Sequence, residues 1–335
     1  MAAIVMTLCG IGLFALLVYS VGFHEILDGV GRFGFAGSAV ILTIYFFRIC
    51  VRSYAWKLTV PEPYHLTMRD TIPGVMIGEA MSSTLPLGLI ISGTSKAVAV
   101  RKRVPLVAGL SSVATENLFY SFITGFHLIL GALVMLRVSA VDDGVAWTIN
   151  AMIVSLIILM FLGVMMVIRQ WHMASWLCEF VYRKGFLTRL LENGRLQVRL
   201  FEDQIYGFYR RHPHRFIPIC LLEATYHALG VAEVYYILSR LNNETASLTT
   251  AFLLESISRL VTIVFKAIPF NIGVDEAGAQ YVGNAIALAA GVGVTLAIIR
   301  KGRILFWTAL GWALIAKRGL SFKSLSQPDE EKSYS

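Results

Sequence analysis

Val145 to Ile168 runs without a single Asp, Glu, Lys or Arg. At about 1.5 Å of rise per helical residue, such a run crosses a hydrocarbon layer about 30 Å thick. In lipid every backbone polar group must be satisfied internally, which leaves helices and closed barrels. A continuous apolar run of this length reads as a helix. The rest of the chain agrees. Of its 335 residues 56% are hydrophobic and 15% charged, whereas a soluble chain carries about 25% charged residues. The expectation is an all-α polytopic integral membrane protein with about 7–8 transmembrane helices plus interrupted or re-entrant ones.

Further spans are read at Met1 to Ser20, Phe33 to Phe47 (ending in Arg48 and Arg52), Val104 to Leu136, Phe216 to Ser239, Ala246 to Phe265, Ala279 to Ile299 and Ile304 to Ala316. The first lacks the basic flank of a secretory signal, although Val18-Tyr19-Ser20 would serve as a loose cleavage site; it is read as a retained helix. Two stretches break the pattern. Residues 72–100 are apolar but interrupted by Pro73, Gly74, Gly78, Pro86, Gly88 and Gly93, and Ile268 to Gly278 is broken around Pro269, Gly273 and Gly278. Irregular backbone at membrane depth is tolerated where protein or a water-filled cavity covers it. Leu85-Pro86-Leu87 and Ile268-Pro269-Phe270 each precede a long apolar segment, so two structural repeats are one reading. The chain then divides into a first membrane half (1–168), a basic amphipathic connection (169–215), a second half (216–318) and a polar tail (319–335).

The formal net charge is +8. Most Lys and Arg lie between apolar segments, where the positive-inside rule and anionic headgroups account for them, and no nucleic-acid module is present. The rule places Arg101-Lys102-Arg103 and the 169–215 connection in the cytoplasm, with the N-terminus on the same side. One conflict remains: Arg300-Lys301-Arg303 and Lys317-Arg318 both favour the cytoplasm with a span between them. Either Ile304 to Ala316 does not cross, or one basic cluster sits outside. Cys9, Cys50, Cys178 and Cys220 match no zinc or redox spacing. No cofactor or metal is expected.

Charged groups within apolar runs cost about 2.5–3.5 kcal/mol each on insertion scales, so they face the protein interior. Ser112, Glu116, Tyr120, Thr124 and His127 recur at helical spacing on one face. So do Glu255, Ser258, Arg259, Thr262 and Lys266, with Glu255 and Arg259 an i, i+4 pair. Glu223 and His227 share a face, and Glu233 points elsewhere. These stripes imply a hydrated, headgroup-sized cavity. Lys96, Arg259 and Lys266 suit an anionic phosphate, with Glu79, Glu116 and Glu255 holding the bases, binding an amine or carrying protons. Asn271, Asp275 and Glu276 surround the second break, where the two carboxylates either cap the following helix or meet substrate.

Leu85-Pro86-Leu87 followed by Gly, Ser and Lys, Glu116 on a long helix, and Ile268-Pro269-Phe270-Asn271-Ile272-Gly273-Val274-Asp275-Glu276-Ala277-Gly278 together resemble the flippase-like membrane family named for the transmembrane region of bacterial lysylphosphatidylglycerol synthase. The likeness covers roughly residues 40–316. It implies a lipid-transporter fold with discontinuous helices, in a family whose stand-alone members include some tied to hopanoid or glycolipid pathways. The sequence departs from the pattern in placing its basic residue at Lys96, well past the first Pro, and in adding Asp275 before Glu276. Only residues 319–335 follow the membrane region, so lipid aminoacylation by this chain alone is not expected.

No phosphate loop, H-E-x-x-H or G-x-S-x-G occurs. The expectation is a flippase-like transbilayer lipid transporter that binds an anionic or phosphate-bearing headgroup in an intramembrane cavity. It would sit in a bacterial inner membrane, with anionic headgroups at its cytoplasmic face. Two alternatives stay open. One is a lipid-binding subunit partnered with a lipid-synthesis enzyme; the other is a lipid-modifying enzyme using His127, Glu223 and His227 as acid–base groups.

Overall fold

A computed structural model gives the fold and describes residues 12–16, 19, 23–85, 88–138, 142–184, 188–241, 246–266, 268–286, 288–289 and 291–318. Most of the first expected span, Pro86, Leu87 and the tail lie outside these. Every extended regular element among the described residues is an α-helix: α1 (Phe23–Thr59), α2 (Met68–Thr84), α3 (Gly88–Ala99), α4 (Leu106–Val138), α5 (Asp143–Arg169), α6 (Met173–Arg183), α7 (Thr188–Arg211), α8 (Phe216–Leu241), α9 (Leu248–Val264), α10 (Val274–Ala285) and α11 (Val292–Lys317). Four helical stretches are long and apolar enough to cross a membrane: Ile26–Thr59, Leu106–Val138, Asp143–Arg169 and Pro213–Leu241.

Two expected boundaries are wrong, for the same physical reason. Arg48 and Arg52 do not end a span. Helix α1 continues past them to Thr59, kinked only at Gly34, whose φ of 67° suits glycine. Nor do Arg300, Lys301 and Arg303 form a loop: α11 runs through them for 26 residues, and the expected span Ala279 to Ile299 is instead broken between Ala285 and Val292. In each place a base was read as a span end, but its charge is met by a carboxylate from another helix. Helix α2 likewise continues through Pro73 and ends at Thr84.

Helices α1–α4 and α8–α11 are two matched groups. Each runs long, short, short, long, and the short members have the same lengths, 17 residues for α2 and α9 and 12 for α3 and α10. At about 1.5 Å per residue the 12-residue helices are too short to cross about 30 Å alone. The packing obeys the same exchange. Helix α2 packs on α11 and α9 on α4; α1 packs on α4 and α11, as α8 does; and α1 packs on α8. Helices α1 and α8 run antiparallel: Phe33 meets Tyr236 at one end, and Arg215 donates to the Leu58 carbonyl at the other.

The cross-group contacts also match in detail. Gly311 of α11 lies against Met76 of α2, and Gly131 of α4 lies against Ser256 of α9. Met76 and Ser256 occupy the same position, counted from Met68 and Leu248. A Cβ on Gly311 would come within 2.6 Å of the Met76 carbonyl oxygen, and backbone cannot turn aside. Gly311→Ala is therefore expected to lose about 1–3 kcal/mol of stability by overpacking. Gly302→Ala, in open space on the same helix, should gain a few tenths up to about 1 kcal/mol. Thermal unfolding in detergent checks the pair, and equal midpoints would contradict the close approach.

Between the groups, α6 and α7 form a polar unit. Glu202 of α7 accepts from the Ala174 and Ser175 N–H groups at the start of α6, at 2.9 and 3.2 Å, and Tyr206 donates to the Trp171 carbonyl at 2.6 Å. Met173, Trp176, Leu177 and Phe180 are exposed along one face of α6. An apolar stripe on a helix with a basic end suits a position in the membrane interface.

Candidate functional site

The site grows from charges that the helices bury. Glu255 of α9 accepts from Arg259 one turn later (2.8 and 2.9 Å), from Arg300 of α11 (2.6 Å) and from Arg48 of α1 (3.5 Å). Glu233 of α8 is held by Arg303, with Arg48 at 3.4 Å and Arg300 at 3.8 Å. Two carboxylates thus serve four guanidiniums. Aromatic faces take up part of the excess positive charge: Arg303 lies 4.1 Å from the Tyr45 ring centroid, and Arg48 4.3 Å from that of Tyr226. Beside this network, Glu116 accepts from Arg52 at 2.9 Å and from Lys96 at 3.4 Å, and Arg52 sits 4.3 Å from the Tyr120 ring centroid.

A cavity of about 180 Å³ opens against these groups. At about 30 Å³ per water it holds roughly six waters, enough for a polar headgroup and too small for acyl chains. Arg52, Arg259, Lys266, Arg300 and Arg303 line it, against Glu79 and Asp275 as the carboxylates in the lining among the described residues. Arg52, Arg259, Arg300 and Arg303 already face carboxylates. Lys266, just past the end of α9, has no ion-pair partner among the described residues.

The two matched groups both contribute. Helices α2 and α9 point their C-terminal ends at the cavity, and equivalent positions carry Glu79 and Arg259, then Ser82 and Thr262, all in the lining. Tyr45 donates to Glu79 at 2.9 Å, and Ser258 donates to Asp275 at 2.9 Å. The break after α9 forms the remaining wall. Phe270 and Asn271 both line the cavity and both have positive φ, 54° and 49°, a conformation that costs non-glycine residues energy and collects at functional sites. Glu276 turns away: it accepts from the Gly273 N–H at 2.8 Å, capping α10, and pairs with Lys301 at 2.6 Å.

Of the residues expected from sequence, Glu79, Tyr120, Arg259, Lys266, Asn271 and Asp275 line the cavity. Glu116, Lys96, Glu255 and Glu276 lie behind it as ion-pair partners. His127 and His227 stack with centroids 4.8 Å apart and bond Ser256 and Thr124, tying α4, α8 and α9 together. Glu223 is buried, and neither of its oxygens has a hydrogen-bond partner among the described residues. The three nominated acid–base groups thus stand outside the lining. Sequence reading missed Tyr45, Arg52, Asn117, Tyr226, Arg300 and Arg303. For the arginines the available signal was stoichiometric: Glu116, Glu233 and Glu255 inside apolar runs demand buried bases, and Arg52, Arg300 and Arg303 supply them.

Matched helix groups enclosing a polar, net-cationic cavity, on helices able to cross a bilayer, define a polytopic integral membrane protein with a buried ionic core. The chain belongs to the family described as the lysylphosphatidylglycerol synthase TM region, whose family model matches residues 2–311. Neither curated proteins nor solved structures give a match.

Proposed function

We propose that this chain moves a lipid between leaflets, taking a phosphate-bearing headgroup into the polar cavity while the acyl chains stay in the bilayer. The observation that carries this is the cavity: headgroup-sized, surplus in bases, and bounded by equivalent ends of two matched helix groups. Transporters built of inverted repeats place substrate at such an interface of discontinuous helices. The expected charge conflict also dissolves. With Arg300 to Arg303 inside a helix, Lys317-Arg318 is the basic cluster at the end of α11, and the positive-inside rule supports a cytoplasmic side for it together with Arg101 to Arg103, the 169–215 connection and the N-terminus. The α2–α3 pair then enters from the cytoplasmic side and α9–α10 from the other.

Lys266 is the clearest probe, because its charge holds no other helix in place. In proteoliposomes of phosphatidylcholine doped with fluorescent phosphatidylglycerol, Lys266→Gln should slow lipid movement about tenfold or more, the loss of one charge-assisted hydrogen bond of about 1.5–3 kcal/mol, with unchanged thermal stability. Wild-type vesicles that move no more lipid than empty ones, while the protein co-purifies with a lipid synthase, would instead identify a binding subunit.

A further inference from the structure

A second concavity lies on the opposite face of α4. Asn117 and Tyr120 face the polar cavity, whereas Leu118, Phe119 and Phe122 line a groove of about 1190 Å³ that continues over α5, α7 and the start of α8. We propose that this groove binds one anionic glycerophospholipid, its acyl chains along α4 and α5 and its phosphate between Arg169 and Arg210. This site does not rest on the cavity reading.

Size comes first. Small-molecule pockets run to about 300–1,000 Å³, and this groove exceeds them. Its wall follows α5 from Leu156 to Arg169, about 20 Å at 1.5 Å per residue, which matches one leaflet of about 15 Å plus a headgroup. Helix α5 is the most apolar span and is scarcely covered by protein, so a lipid reaches the groove sideways from the bilayer.

Charge is the second argument. Arg169 and Arg210 line the groove, both are exposed, and neither has an ion-pair partner among the described residues. Arg169 is the last residue of α5, at the depth where a headgroup sits. Tyr209 lines the same end, and its hydroxyl makes no hydrogen bond among the described residues. Burial raises the pKa of that hydroxyl and keeps it a donor. Two free guanidiniums and a phenol suit a phosphodiester, and the apolar wall selects a lipid over free phosphate.

Gly163 supplies the test. It lines the groove, and a Cβ added there meets nothing within 4 Å, so a Gly163→Phe side chain has room to start from the helix and extend into the groove. Full-length protein in phosphatidylcholine nanodiscs doped with phosphatidylglycerol is to be examined by native mass spectrometry. Wild type should retain one phosphatidylglycerol after phosphatidylcholine has been stripped. Gly163→Phe, and separately Arg169→Gln with Arg210→Gln, should weaken that retention about tenfold or more, and Gly302→Ala, which lines neither cavity nor groove, should leave it intact. The arginine pair carries the test if the Phe variant fails to fold. Equal retention in all variants, or equal retention of phosphatidylcholine, overturns the proposal. Conversion of a wild-type dimer to monomer by Gly163→Phe would also overturn it and assign the groove to a second copy of this chain.

Discussion

Replacing Glu255 with Gln is expected to cost about 3–5 kcal/mol, the penalty for removing one partner from buried charges. The glutamine keeps the shape and one acceptor but withdraws the charge that faces Arg48, Arg259 and Arg300. Only Glu233 would then remain for those guanidiniums and Arg303, and burial strengthens the repulsion among them relative to bulk water. Glu223→Gln is the matched comparison. It is also a buried glutamate in an apolar helix, but no base pairs with it among the described residues, and it should shift stability by less than about 1 kcal/mol. Unfolding followed by size-exclusion fluorescence on heating separates the two. If both variants melt together with wild type, the network is not holding the helices.

Ser82→Trp is expected to reduce lipid movement to the level of protein-free vesicles while the protein stays folded. An indole occupies most of a cavity of about 180 Å³, so a headgroup and the new side chain cannot share it. Thr262→Trp, at the equivalent position on the matched helix, should act the same way from the opposite wall. The comparison tests the two-group architecture as well as the cavity, because a block by one and not the other would place the path on one side only. Normal transport in both would remove the cavity from the route.

Several parts of this arrangement were legible in the sequence. The spans at Val104 to Leu136, Val145 to Ile168 and Phe216 to Ser239 followed from apolar length, and the stripe on α9 from spacing alone: Glu255 and Arg259 pair across one turn, and Ser258, Arg259, Thr262 and Lys266 line the cavity. The stripe on α4 was equally regular but went mostly to packing, with Ser112 accepting from Trp56 and Thr124 bonding His227. Spacing reports a shared face, and it does not report what that face meets.

The bases were harder. Arg48 lies 185 residues from Glu233, and no local pattern joins them, so an arginine at the edge of an apolar run was read as a span end. The repeat was obscured for a related reason. Helix lengths match, but equivalent positions carry opposite charges, Glu79 against Arg259. The link before α4 holds Arg101, Lys102 and Arg103, whereas residues 286–291 before α11 hold no charge. Under the inverted orientation proposed above, the positive-inside rule acts oppositely on the two links, so equivalent links diverge in sequence while the backbone is kept.

Sharing two carboxylates among four guanidiniums also bears on motion. In a one-to-one buried pair, either ion can move only by stranding its partner, and the contact acts as a latch. Here Arg48 is the sole guanidinium of this set from the first group, and Glu233 and Glu255 each keep a base from their own group when Arg48 shifts. One group can slide past the other by trading neighbours, without exposing a bare charge to lipid. In the proposed transport such an interface would serve as a bearing, with the charges as its rolling elements.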